Sequence, residues 1–192
     1  MSFKKVTRLK LPSFNKLWKA FASIIICIAR KIKYSHRLLG STYQLKLNPD
    51  TVIDLNNGGK CTLGKNLTTE SNVQLASVHG GELSIGDNIF FNSNCIIVCR
   101  KSVKIGNGTI FGPNVCIFDH DHKFGSQGKM SGYKCSDIEI GENCWIGAGS
   151  IILRGSIIGD NCVIGAGCII KGEIPPNSLV TGERGIKVRP LQ

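Results

Sequence analysis

The chain has 192 residues, of which 42% are hydrophobic and 19% are charged, and its formal net charge is +11. This length suits one domain of moderate size with a short additional segment. A domain of that size can bury a hydrophobic core without disulfides or metals. The nine cysteines are odd in number and form no CxxC pair, which argues against a disulfide framework and indicates reduced thiols in a cytoplasmic protein.

The positive charge is concentrated at the N-terminus. Residues 1–49 contain eleven of the 24 Lys and Arg residues and none of the 13 Asp and Glu residues. A nucleic-acid-binding protein more often carries its basic patch on the folded module. We therefore expect no nucleic-acid partner.

Within this basic segment the sequence predicts one amphipathic helix. The apolar run from Ala20 to Ala29 is too short to span a bilayer, and the RKIK of residues 30–33 stands where a secretory signal would need small residues. We expect the helix to lie peripherally on the anionic inner face of the membrane. The alternative is a helix docked on the protein itself or on a partner subunit. The apolar residues at roughly helical spacing are Leu17, Trp18, Phe21, Ile24, Ile25 and Ile28.

The C-terminal half repeats every six residues, a period that fits neither an amphipathic helix nor a simple alternating strand. It predicts a solenoid of short strands in which three blocks form one triangular coil and stacked coils bury a continuous core. Each six-residue block begins with an aliphatic residue, which we call its opener: Ile140, Ile146, Ile152, Ile158, Ile164 and Ile170. Four residues after each opener, at the fifth place of the block, stands a small residue that fits beside the corners: Cys144, Ser150, Ser156, Cys162 and Cys168.

The repeat continues upstream with short slips between groups. We expect residues 50–62 to cap the first coil. Residues 119–137 are too long for a corner, so they must leave the solenoid as a loop, and long loops on rigid scaffolds are often functional. The upstream openers are Leu63, Thr69, Leu75, Ile85, Phe91, Ile97, Ile105, Phe111 and Ile117.

The repeat and loop together resemble a known family. Isoleucine–glycine hexapeptides around FDHDH, followed by GENCWIGAGSIILRGSIIGDNCVIGAGCIIKGEIPPN, are similar to the hexapeptide-repeat acyltransferases, and most to the sugar and polysaccharide O-acetyltransferases. The resemblance implies an all-β, left-handed parallel β-helix that assembles as a homotrimer. It also implies transfer of an acetyl group from acetyl-CoA, bound between subunits, to a hydroxyl of a sugar or cell-surface polysaccharide, with no metal required.

These observations divide the chain into a basic N-terminal segment at 1–49, a β-helix domain at 50–174 with its loop at 119–137, and a tail at 175–192. The N-terminal segment lies outside the resemblance. A peripheral membrane helix there favours a glycan built on a membrane lipid carrier as the acceptor.

The resemblance also implies the catalytic residues. Counting along IGNGTIFGPNVCIFDHDH places the family's histidine base at His122, with His120 as a second candidate, and the same spacing places the acceptor-binding asparagine at Asn92. A neutral imidazole can accept the proton of a sugar hydroxyl as it attacks a thioester. Asp119 and Asp121 flank His120. A carboxylate there can hold the imidazole tautomer, as the acid of a catalytic triad does, although adjacent residues in an extended chain rarely face each other. Whether His120, Asp119 or Asp121 assists His122 stays open at this point.

The remaining site residues concern the acceptor and CoA. Trp145 occupies an outward place, where an indole needs a substrate or a subunit to cover it. The resemblance implies pantetheine contacts at Ala148 and Ala166 and a CoA phosphate contact at Lys171. The family's usual GNPAK is replaced by GERGIK, so Arg184 is assigned to the adenosine phosphate as a hypothesis only.

Three alternatives stay open, and one of them is a non-enzymatic scaffold. An amino-sugar N-acetyltransferase would use the same base and donor. A γ-class carbonic anhydrase-like zinc protein shares the solenoid and would have to use His79, His120 and His122, but that family's local histidine pair is separated by four residues. Here one residue separates the pair, and we expect the two rings to diverge.

Overall fold

The protein is a parallel β-solenoid with three sheets. The computed structural model describes residues 32–40, 44–125 and 128–182, together with positions 18, 21, 24, 25, 28 and 29. The chain visits sheets A, B and C in turn, and each strand pairs in parallel with strands one coil earlier and one coil later. This confirms the predicted all-β parallel solenoid and is consistent with the left-handed β-helix that the resemblance implies.

The strands are short because each spans one side of the triangle. Sheet A contains Leu38–Gly40, Lys60–Leu63, Glu82–Ile85, Ser102–Ile105, Ile138–Ile140, Ile157–Ile158 and Glu173–Ile174. Sheet B contains Thr68–Thr69, Phe90–Phe91, Ile110–Phe111, Trp145–Ile146, Val163–Ile164 and Leu179–Val180. Sheet C contains Val52–Asp54, Gln74–Ser77, Ile96–Cys99, Cys116–Phe118, Ile151–Leu153 and Ile169–Ile170. Two 3-10 turns lie at Ser35–Arg37 and Asn56–Gly58.

The six-residue pattern places the core as predicted. Every opener from Leu63 to Ile170 and every small fifth-place residue from Cys144 to Cys168 is buried. The glycine that follows many openers is required by the close stacking of the coils. A Cβ on Gly147 would lie 2.6 Å from the backbone nitrogen of Ala166 in the next coil. The eight cysteines that the structure describes are all free.

Asparagines form the corners of the triangle. At the A–B corner, Asn66, Asn88, Asn143 and Asn161 adopt positive φ between 53° and 59°, which asparagine tolerates better than other side chains with a Cβ. Their amides also link successive coils, because Asn66 Nδ2 donates to Asn88 Oδ1 over 2.9 Å. The corners therefore combine tight turns with a ladder of side-chain hydrogen bonds.

The solenoid strands extend past the limits read from the repeat. Leu38–Gly40 pairs with Lys60–Leu63 at one end, and Leu179–Val180 pairs with Val163–Ile164 at the other. The expectation that residues 50–62 only cap the first coil is wrong, because Val52–Asp54 forms a regular strand of sheet C. The sequence does not predict this strand, because the residues around it lack the regular isoleucine–glycine repeat.

The N-terminal segment contains the expected helix. Positions 18, 21, 24, 25, 28, 29 and 32–34 are helical, and none of the helical residues described belongs to a helix long and apolar enough to cross a bilayer. Its end is fastened to the first coil, where the Tyr34 hydroxyl donates to Ile53 O over 3.2 Å and Arg37 Nη1 donates to Leu55 O over 2.7 Å. Its apolar side chains remain 44% to 76% exposed: Trp18, Phe21, Ile24, Ile25, Ile28 and Ile32.

Candidate active site

The interruption at 119–137 folds into an antiparallel hairpin that leaves the C–A corner. The hairpin consists of His120–Phe124 and Met130–Cys135, with His122 opposite Tyr133, and we call it the histidine hairpin. The expected departure from the solenoid is therefore present, as a pair of antiparallel strands whose register shifts between Lys123 and Phe124. The hairpin concentrates titratable and aromatic side chains beside a solenoid whose interior is mainly apolar.

Asp119 forms the root of the hairpin and is fully buried. Its carboxylate accepts the backbone N–H groups of residues 100–102 in the coil beneath, at distances from 2.6 to 3.0 Å. Its Oδ1 also lies 3.0 Å from His120 Nδ1. Of the two carboxylates that flank His120, Asp119 thus contacts its imidazole, because the chain bends out of sheet C at this residue.

The two histidines occupy one face of their strand, since they are two residues apart. Their ring centroids are 6.4 Å apart, so the expected divergence of the rings is wrong. His120 is largely buried, whereas His122 is exposed and its Nδ1 lies 2.8 Å from Met130 Sδ. The hairpin therefore presents one fixed imidazole and one accessible imidazole side by side.

Tyr133 and Arg100 support this pair from the side. The Tyr133 ring centroid lies 4.9 Å from that of His122 and 5.5 Å from that of His120. The Arg100 guanidinium stacks 3.6 Å from the Tyr133 centroid, close enough for a cation–π interaction. Neither residue belongs to the repeat. The antiparallel pairing of the hairpin brings Tyr133 beside the histidines, and Arg100 contacts the Tyr133 ring from the coil beneath.

Asp121 attaches the hairpin to the coil above. Arg154 Nε donates to Asp121 Oδ2 over 2.5 Å, and this contact holds the pKa of the half-exposed Asp121 carboxyl below its usual value. The charge of Lys171 in the following coil acts in the same direction. Arg154 therefore joins the site, although nothing in its six-residue block distinguishes it from a corner residue.

The residues assigned from the resemblance lie on two separate corners. His120, His122 and the exposed Lys171 lie at the C–A corner, whereas the half-buried Asn92, Ala148 and the exposed Ala166 lie at the B–C corner. Within one chain the width of sheet C separates the two groups. Trp145 points outward from sheet B with 54% of its surface exposed, as its place in the block predicts, and Arg184 lies outside the described residues.

The structure also locates the three histidines of the zinc alternative. His79 forms a turn at the C–A corner with φ of 54°, and its Nε2 lies 3.4 Å from Asn57 Nδ2. Across the portion of the chain that the structure describes, no three His, Cys, Asp or Glu side chains are grouped to hold a metal ion. His79 is therefore not grouped with His120 and His122.

Comparisons with known proteins agree with the fold. Residues 137–172 match the model of the bacterial transferase hexapeptide (six repeats). Nodulation protein L of Rhizobium meliloti is 43% identical over 105 residues, which are 54% of this chain and 57% of that protein. The alignment thus spans less than three fifths of that relative.

Two further similarities cover more of the chain. The putative lipopolysaccharide biosynthesis O-acetyl transferase WbbJ of Escherichia coli is 30% identical over 138 residues, which are 67% of this chain and 70% of that protein. The crystal structure of AntD, an N-acyltransferase from Bacillus cereus in complex with dTDP and 3-hydroxybutyryl-CoA, has a TM-score of 0.66 and 17% identity and covers 85% of this chain and 88% of that one. At this identity the likeness concerns the fold alone. With its matched repeat, its three-sheet solenoid and a relative aligned over 70% of its length, the chain belongs to the hexapeptide-repeat transferase family.

Proposed function

We propose that this protein transfers an acetyl group from acetyl-CoA to a hydroxyl of a sugar or of a cell-surface polysaccharide or its precursor. The observation that carries the proposal is the histidine hairpin, which sets two imidazoles beside a buried carboxylate on a transferase scaffold. The name of WbbJ, an O-acetyl transferase of lipopolysaccharide biosynthesis, supports the acyl group and the class of acceptor.

His122 acts as the general base in this proposal. Its exposed imidazole accepts the proton of the acceptor hydroxyl, while the neighbouring His120 lines the same face of the strand. General-base assistance of this kind is worth about 10²- to 10⁴-fold in rate. Asn92 and Trp145 contact the acceptor, and no metal is needed, because the thioester already supplies an activated acyl group.

The donor lies along the B–C corner of one subunit. Ala148 and Ala166 stand in successive coils there, and their small side chains leave the backbone open to a pantetheine arm. Lys171, at the C–A corner, is an exposed point charge that suits a CoA phosphate, and Arg184 has the same role in the tail.

A homotrimer completes the site in this proposal. Sheet A faces outward with the ion pairs Lys60–Glu82 and Lys104–Glu139, as expected of a solvated face. Sheets B and C instead carry apolar side chains in register from coil to coil, and apolar surface of this extent typically marks a protein interface. Adjacent subunits bring the C–A corner of one copy to the B–C corner of the next. The outward apolar residues are Phe90, Ile110, Trp145, Val163 and Leu179 in sheet B and Ile96, Cys116, Ile151 and Ile169 in sheet C.

The N-terminal helix adds a peripheral membrane contact at the inner, cytoplasmic face. Its exposed apolar side chains and the absence of acidic residues from 1–49 suit an anionic lipid surface. In the full-length chain, the Phe21→Ser/Ile25→Ser double variant is expected to lose at least about tenfold in partition onto anionic vesicles. Ile157→Ser, which changes an exposed isoleucine of sheet A, is the control. Equal binding of the double variant and the control contradicts the membrane contact.

The activity is tested by acetyl-CoA turnover against a panel of hydroxyl acceptors and amino sugars. His122→Ala is expected to lower kcat by about 10²-fold or more on a hydroxyl acceptor. Asp137→Asn, which changes an exposed carboxylate at the other root of the hairpin, is the matched control. A loss of only a few-fold in His122→Ala means that another group is the base. Turnover confined to amino sugars identifies an N-acetyltransferase.

A further inference from the structure

Asp119 contacts both the backbone of the coil beneath and the side chain of His120. Its Oδ2 accepts the N–H groups of Lys101 at 2.6 Å and Ser102 at 3.0 Å, and Arg100 N lies 2.9 to 3.0 Å from both oxygens. These three donors already fasten the carboxylate to the coil beneath. The His120 imidazole is a further partner, at 3.0 Å on Oδ1.

This arrangement fixes which nitrogen of His120 carries the proton. Both oxygens of the Asp119 carboxylate already act as acceptors toward backbone N–H groups, so His120 Nδ1 is the donor in the contact between the two side chains. The other ring nitrogen, Nε2, then keeps its lone pair when the imidazole is neutral. The Tyr133 ring, 5.5 Å away, packs against the imidazole and restricts its rotation.

We propose that Asp119 is the positioning residue of this active site. It holds His120 as the Nδ1–H tautomer, so that Nε2 accepts a hydrogen bond from a second hydroxyl of the acceptor and orients it while the reacting hydroxyl gives its proton to His122. The role in catalysis depends on the function proposed above, whereas the tautomer does not. The burial of Asp119 keeps water from competing for its lone pairs, so the orientation of His120 persists as substrates enter and leave.

The tautomer is measured by nitrogen NMR of histidine-labelled full-length protein at a pH where the rings are neutral. The chain has four histidines, and the spectrum of His120→Gln assigns the signals of His120. The expected spectrum has a protonated Nδ1 and an unprotonated Nε2. The Nε2–H form in the wild-type protein overturns the proposal, whether or not the protein is active.

Kinetics then test the consequence for the reaction. Asp119→Asn is expected to lower kcat by about 10²-fold with KM changed less than about threefold, and to abolish the preference for the Nδ1–H form. Ser77→Ala is the matched control, because it removes a buried hydrogen bond at the same corner without touching the hairpin. A variant Asp119→Asn that folds and keeps kcat within a few-fold overturns the proposal. If Asp119→Asn does not fold, two other measurements test the proposal: the wild-type spectrum and the kcat of His120→Gln. Full activity in His120→Gln means that the reaction does not need a positioned His120, and it overturns the proposal.

Discussion

Phe91 and Phe111 stack in the solenoid interior, with ring centroids 4.5 Å apart and planes inclined by 17°. They occupy the same place in successive coils of sheet B and are the largest of the fully buried side chains. Phe111→Ala is expected to lower the free energy of unfolding by about 3–5 kcal/mol, because it removes buried surface and leaves a cavity against Phe91. Denaturant unfolding measures this loss. Phe124→Ala, on the exposed part of the hairpin, is the control, and equal losses in the two variants contradict the prediction.

The corner asparagines are required for their backbone conformation. Asn88 has φ of 59°, a region where a side chain other than Asn, Asp or Gly is strained. Asn88→Ala is expected to lower the free energy of unfolding by about 1–2 kcal/mol, whereas Asn88→Gly is expected to cost less. Both variants lose the hydrogen bond from Asn66, so their difference in thermal unfolding reports the backbone alone. Indistinguishable melting of the two variants contradicts this account.

The sequence predicts which residues of the solenoid are buried, but it predicts only some of the contacts in the candidate site. The reason is that burial follows a local repeat, whereas the contacts join distant parts of the chain. An opener such as Ile146 is buried because its neighbours in the stack repeat the same local rule, so a six-residue period is enough to place it. The contacts of Asp119 depend on how the chain leaves sheet C and on backbone groups 17 to 19 residues away. Arg154 reaches Asp121 across 33 residues. No local pattern encodes such contacts.

The assembly is tested by two isoleucines of similar exposure. Ile110 points outward from sheet B beside Trp145, and Ile157 points outward from sheet A, with exposed fractions of 47% and 44%. If the proposed trimer forms through sheets B and C, Ile110→Lys is expected to convert it to monomers, because the variant places a charge within the apolar ladder, and Ile157→Lys is expected to leave it intact. Sedimentation velocity measures the outcome. Dissociation in Ile157→Lys alone places the interface on sheet A.

The ion pair between Asp121 and Arg154 predicts a response to acid. Because Arg154 lowers the pKa of Asp121 below 3.8, the pair stabilises the hairpin above that pH and is lost as the pH falls through the lowered value. Arg154→Gln is expected to raise the pKa of Asp121 toward its usual value, as measured by carboxyl-carbon NMR titration. Lys104→Gln, which breaks an ion pair on sheet A, is the control. An unchanged Asp121 titration in Arg154→Gln contradicts the pairing.

The buried thiols predict a loss of stability in alkali. Burial raises the pKa of Cys61 to about 12, and the neighbouring Cys99 acts in the same direction. Above pH 9 the unfolded thiol ionises while the folded one stays protonated, so the unfolded chain binds fewer protons and stability falls between pH 9 and about 12. In that pH range, each such thiol lowers the free energy of unfolding by about 1.4 kcal/mol per pH unit. Denaturant unfolding at pH 8 and pH 10.5 measures this pH dependence of stability. Cys61→Ala is expected to reduce it by the contribution of one thiol, whereas Leu63→Ala, which truncates a buried side chain that cannot ionise, leaves it unchanged. Equal slopes in the wild-type protein and Cys61→Ala contradict a neutral buried thiol.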